Sequence, residues 1–307
     1  MRASERASRI LDATGLAVLA ARVPRGSVLV LDYHRIGTPP GDGADESWSA
    51  TAEDLHAQLE FLTRHFEVIA PSEIPAALDG RCGRFAAVTF DDGYRDSHDV
   101  ALPILSELGI PAAFFVCTGF LDRGGTAWWD EIATLMSSDP GAAAAAIEHY
   151  KSLPADQAER FLHRLRARAN GHDRPASPRW LTWPQVRRLH AAGMEIGGHT
   201  VTHPILSRLS AGEQRHQIAE CARRLEEMLG EPMRLFAYPV GRPESFDATT
   251  QALLRQEGVE LAFSCYGGLA SRRDWNPLDA RRIPIGRTVS PSRFRALAAM
   301  PSVFGRV

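Results

Sequence analysis

The sequence predicts an α/β barrel with a helical insertion, on three observations. Short apolar runs rich in β-branched residues alternate with longer runs of helical periodicity, the pattern of a parallel sheet flanked by helices. The residues that carry chemistry stand directly after apolar runs, at the C-terminal ends of strands, where a barrel builds its active site. From about residue 122 to residue 180 the alternation stops and helical patterns remain, which reads as an insertion after one barrel strand, a flap over the mouth. A chain of 307 residues is ordinary for one such barrel.

The elements follow in chain order. Residues 1–26 carry Arg2, Arg6 and Arg9, then an apolar stretch from Ile10 to Ala21 that superficially suggests a signal peptide. Asp12 interrupts that stretch, which is also too short to span a bilayer. An amphipathic helix over residues 4–21 fits better, with Ile10, Leu11 and Leu19 on its apolar side, packed on the barrel or touching a membrane surface. The barrel is expected over residues 27–307, with strands at 28–33, 86–90, 112–116, 194–197, 234–238, 260–264 and 282–285. Helices are expected at 52–64, 97–108, 183–191, 211–229 and 248–256. The long one from Ala211 opens behind Ser210, with Glu213 placed for a capping box. The insertion holds helical stretches at 142–146 and 157–169, and Trp128, Trp129, Trp180 and Trp183 lie within it or at its far end.

Two motifs carry the chemistry. Asp91 and Asp92 close the run Val88-Thr89-Phe90-Asp91-Asp92-Gly93, and His199 and His203 stand in His199-Thr200-Val201-Thr202-His203-Pro204. Alone, the first pattern reads as a turn or an N-cap, and the second as two unrelated packing or surface histidines. Together, each after a strand, they supply both halves of a mononuclear metal hydrolase. One carboxylate and two imidazoles can hold a metal with an open position, and the other carboxylate is left to act as a base on water. Side chains alternate along a strand, so two adjacent carboxylates converge only where the strand ends, and Gly93 permits the sharp exit. Gly197 and Gly198 permit close approach of the strand that delivers His199, and Pro204 disfavours helix at His203, which puts both histidines on a loop.

These residues resemble the polysaccharide deacetylases of the NodB-homology type, carbohydrate esterase family 4. The first family motif, TFDDG, stands intact at Thr89 to Gly93, and the second, H-[ST]-x-x-H, at His199 to His203. The third, usually written RxPY, is altered at Phe236-Ala237-Tyr238-Pro239-Val240-Gly241. The resemblance covers roughly residues 27–290 and implies a distorted (β/α)7 version of the TIM-like barrel. It also implies Asp91 as catalytic base and Asp92, His199 and His203 as ligands of one divalent metal, zinc first, with cobalt or nickel also compatible. The implied reaction is hydrolysis of an acetamide on a saccharide, releasing acetate. Backbone N–H groups of the loop Tyr238, Pro239, Val240 and Gly241 are then candidate oxyanion donors.

Two departures shape the reading. The third-motif arginine that orients the base in the family falls at Ala237, and Arg282 is the candidate replacement, against a solvated surface charge. No histidine follows His216, so the C-terminal general acid of the family has no counterpart there. Family members resembling poly-N-acetylglucosamine deacetylases are permuted and carry it near the N-terminus. His34, at the end of Val28-Leu29-Val30-Leu31-Asp32-Tyr33-His34, fits as an acid for the leaving amine, against a histidine that merely caps a strand. Trp128 and Trp129 are candidate stacking platforms for sugar rings; the alternative is that they anchor the insertion.

Composition narrows the partners. A net charge of -2 gives no footprint for nucleic acid. Cys82, Cys117, Cys221 and Cys265 are widely spread without CxxC spacing, Cys117 and Cys265 falling in apolar runs as buried thiols. The expected location is cytoplasmic, with peripheral membrane contact through the N-terminal helix. Three classes stay open: an N-deacetylase of an N-acetylated saccharide, an O-acetyl esterase or small-amide hydrolase using the same site, and a degenerate glycan-binding member.

Overall fold

The computed structural model describes residues 26–37, 49–80, 82–168 and 179–301. The expected amphipathic helix over residues 4–21 lies outside them. Seven strand positions form a ring of parallel strands. They are β1 (Ser27–Tyr33), β2 (Phe85–Phe90), β3 (Ala113–Val116), β4 (Glu195–Gly198), β5 (Leu235–Ala237), β6 (Leu261–Ser264), and a last position split into β7 (Ala280–Arg281) and β8 (Ile283–Pro284). Each of β1 to β6 pairs in parallel with the next. The split position closes the ring, because β7 pairs with β6 while β8 pairs with β1. The fold is the (β/α)7 barrel, its seventh strand interrupted at Arg282.

Alternation along the strands divides the core in two. Leu29, Leu31 and Tyr33 of β1, with Ala86, Val88 and Phe90 of β2, face the surrounding helices. Val28 and Val30, with Phe85, Ala87, Phe115 and Phe263, fill the barrel interior. The interior series of β1 therefore continues to Asp32 and that of β2 to Thr89, so the period of two carries polar groups inward at the upper ends of the strands.

Besides a short helix at Ile74–Leu78, the helices are α1 (Ala52–His65), α2 (Leu102–Leu108), α3 (Thr118–Arg123), α4 (Trp128–Leu135), α5 (Pro140–Ser152), α6 (Ala155–Arg168), α7 (Trp183–Ala191), α8 (Ala211–Leu229), α9 (Ala248–Gln256) and α10 (Pro291–Ala299). The capping box at Ser210 is present, with the Ser210 hydroxyl accepting from the Glu213 N–H. One expected helix is broken: residues 97–101 form a π-turn before α2 begins. Pro103, in the first turn of α2, has no N–H to give to the preceding turn, and the backbone widens there. The C-terminal helix α10 was not anticipated, although Ser290 caps it and Pro291 occupies its first turn. Helices α3 to α6 fall between β3 and α7. Trp128, Ile132, Ile147 and Leu162 give α4, α5 and α6 a small core of their own. No helix among the described residues is long and apolar enough to cross a membrane.

Candidate active site

Strand β2 ends at Phe90, and the two residues after it turn sharply. Asp92 has φ 73° and Gly93 φ 82°, both in the left-handed region. That reversal takes Asp92 off the strand's alternation and lets both carboxylates face one pocket. On the facing strand, β4 ends in Gly197 and Gly198, and a Cβ on Gly198 would overlap the Met233 sulfur and crowd Cys221 Sγ at 3.0 Å. His199 follows immediately. Thr200 (φ 67°), His203 (φ 58°) and Val240 (φ 66°) are also left-handed without being glycine. Strained non-glycine backbone gathered around one pocket marks a site that its surroundings hold in place. Both histidines stand outside helix.

Asp92 Oδ1 lies 3.4 Å from His199 Nε2 and 3.5 Å from His203 Nε2. It is buried with no hydrogen-bond partner among the described residues. His199 Nδ1–H donates to the Ala237 carbonyl at 2.8 Å, which turns Nε2 toward Asp92. Asp92, His199 and His203 thus form a buried donor set that could hold a metal ion. The electrostatics favour positive charge there. Burial pushes the Asp92 carboxyl up, but the facing imidazoles, His199 first, outweigh this and hold it down at about 2. Burial likewise pushes His199 down, and the Asp91 and Asp92 carboxylates lift it above its ordinary value. His203 is held down at about 3 by burial and the His199 charge, so its ring is neutral and able to ligate.

Asp91 has a different partner. Arg282 is not a surface charge: it is 0% exposed and grips Asp91 with two parallel bonds of 2.7 Å. The same guanidinium donates to Thr89 Oγ1 at 3.0 Å, Asp32 Oδ1 at 3.1 Å and the Ser264 carbonyl at 3.2 Å. Burial pushes Asp91 up, and the Arg282 charge and then His199 outweigh it, so its carboxyl lies below the ordinary value and is ionised. Asp32 goes the other way: burial raises it against Arg282, and the Asp91 charge adds to the rise. His34 lines the same pocket, grouped with Asp32 and Asp91. Asp32 was not singled out from the sequence, yet the interior series Val28, Val30, Asp32 carried the signal.

The loop after β5 narrows the expected oxyanion donors. The Tyr238 N–H is committed to the Phe263 carbonyl at 3.0 Å, and its ring is buried, stacked on Phe246 at 3.9 Å. Pro239 has no N–H. That removes two of the four positions and leaves Val240 and Gly241. Trp128 also lines the pocket; it is 9% exposed and stacked on Tyr150 at 4.2 Å. Trp129 lines the pocket, its ring 4.3 Å from that of His203. Trp180 and Trp183 are buried. So are the thiols of Cys117, Cys221 and Cys265, whereas Cys82 is exposed.

A barrel with this site at the C-terminal ends of its strands matches a defined class of hydrolase. The family model described as polysaccharide deacetylase covers residues 80–262, and the chain belongs to that family. It is similar to YxkH of Bacillus subtilis (strain 168), 22% identical over 274 residues, 87% of this chain and 74% of that protein. Among solved structures it resembles the Streptococcus pyogenes deacetylase PplD in complex with acetate, with TM-score 0.62 and 22% identity over 86% of this chain and 95% of that one. It also resembles IcaB from Ammonifex degensii, with TM-score 0.60 and 21% identity over 89% of this chain and 96% of that one.

Proposed function

We propose that this protein is a metal-dependent N-deacetylase that hydrolyses the acetamide of an N-acetylated saccharide, releasing acetate and leaving a free amine. The observation that carries the reading is the separate tethering of two adjacent carboxylates. Asp91 is clamped by Arg282, while Asp92 faces His199 and His203. Asp92, His199 and His203 would hold zinc, cobalt or nickel, whose charge would polarise the amide carbonyl.

The chain's own groups supply the rest. Asp91, ionised and fixed in orientation, takes a proton from the attacking water. The N–H groups of Val240 and Gly241 stabilise the carbonyl oxygen as it gains charge. His34 gives its proton to the amine nitrogen as the C–N bond breaks. Trp129 offers an aromatic wall to the sugar ring.

The test is acetate release from N-acetylglucosamine oligomers by zinc-loaded protein beside Asp91→Asn. The variant is expected to retain metal and lose turnover by at least about 100-fold. A fully active Asp91→Asn sinks the base assignment. Release from acetyl esters but not from acetamides moves the reading to an O-acetyl esterase.

A further inference from the structure

We propose that Trp129, anchored by Tyr94 and Asp130, is the positioning residue for His203, so that the helical insertion completes the ligand cluster. This rests on reading Asp92, His199 and His203 as metal ligands. The two histidines are held in different ways. His199 is fixed by the bond from its Nδ1–H to Ala237, whereas His203 Nδ1 is buried with no hydrogen-bond partner among the described residues. A ligating histidine is ordinarily oriented through its remote ring nitrogen. His203 also sits in the left-handed backbone region, at φ 58°, so another contact has to set its ring.

Trp129 is that contact. Its ring meets His203 at 4.3 Å and 61°, closer than His199 at 4.8 Å or Trp128 at 6.4 Å. Trp129 is in turn tied down by a chain of hydrogen bonds. Its Nε1–H donates to the Tyr94 oxygen at 2.8 Å, and the Tyr94 hydroxyl donates to Asp130 Oδ2 at 2.9 Å. Arg179 faces the same Asp130 oxygen at 3.0 Å, both side chains being almost wholly buried. Trp180 stacks on the Tyr94 ring at 4.7 Å, and the Arg35 guanidinium lies 4.8 Å from its centre. Tyr94 comes two residues after Asp92, so one turn places a ligand and the anchor of the wall that holds another. The wall itself comes from α4.

The experiment is zinc affinity of the full chain, measured by competition with a chromophoric chelator, for wild type, Tyr94→Phe, Trp129→Phe, Trp129→Ala and Asp92→Ala. Asp92→Ala is expected to abolish binding. Tyr94→Phe keeps the ring and removes both bonds, and is expected to weaken zinc about 10-fold, with Trp129→Ala weaker still, toward about 100-fold. Trp129→Phe and Tyr94→Phe keep the test valid if the alanine variant unfolds. The visible bands of the cobalt form should also shift in the Trp129 variants, as the His203 ring turns. Unchanged zinc affinity in every Trp129 and Tyr94 variant, with binding still lost in Asp92→Ala, overturns the inference and leaves the ligand reading standing. A rise in KM alone would make Trp129 a sugar platform only. A wild-type chain that takes up no zinc overturns both.

Discussion

Asp91 and Asp92 are neighbours in the chain, yet burial acts on them against different partners. Arg282 holds Asp91 ionised, and the two imidazoles do the same for Asp92. Asp96, four residues on, shows what happens with weaker compensation. Burial pushes its carboxyl up to about 7, against Arg35 at 3.5 Å. The sign follows from proton counting. A carboxyl whose folded value exceeds its ordinary 3.8 makes the folded state bind more protons between the two values, so stability falls as pH rises through that window. Asp96→Asn removes this slope and should gain stability relative to wild type as pH rises, by up to about 1.4 kcal/mol per pH unit. Urea midpoints at about pH 5 and about pH 8 check it, and parallel pH curves for the two proteins would contradict it. The Asp-Asp and His-x-x-x-His motifs were legible in the sequence because their spacing is local. Asp32, Tyr94 and Asp130 were not, because their partners lie 36 to 250 residues away.

At the scale of elements, strand β4 is a carrier for His199. Its last two residues are glycines because Phe115, Cys221 and Met233 occupy the space a side chain would need. Gly198→Ala should therefore cost about 1–3 kcal/mol of overpacking and displace His199. Thermal denaturation and zinc uptake should fall together, and normal zinc uptake would show that the strand has room to adjust. Helices α8 and α9 could be read to the residue, since their caps and periodicity are written within one or two turns. The π-turn before α2 could not be delimited, because it depends on how the widened backbone packs on its neighbours. Between β3 and α7, α4 was not foreseen as a separate helix, its apolar face being defined by α5 and α6.

Across the whole molecule, the ring closes at Arg282. Its backbone N–H bonds Ser264 of β6, and Ile285, three residues on, bonds the Asp32 carbonyl of β1. Its side chain reaches β1 and β2 as well, so one buried cation ties the first strand of the barrel to the last. Arg282→Leu would leave the Asp91 and Asp32 carboxyls buried without their counter-charge, and breaking a buried pair this way costs about 3–5 kcal/mol. The prediction is a drop of that size in unfolding free energy, with activity lost as well. A stable Arg282→Leu variant would mean that the interior takes up water or that Asp91 protonates without loss of structure. The sequence by itself determined the strands, most helices, the intact family motifs and the residues able to ligate a metal, because periodicity, capping and motif spacing act over a few residues. Tertiary structure alone decided that Arg282 clamps Asp91, that Tyr238 is spent on the sheet, and that Trp128 stacks on Tyr150 while Trp129 meets His203. Those outcomes depend on which strands become neighbours when the ring closes, and burial then sets the charge and contacts of each group.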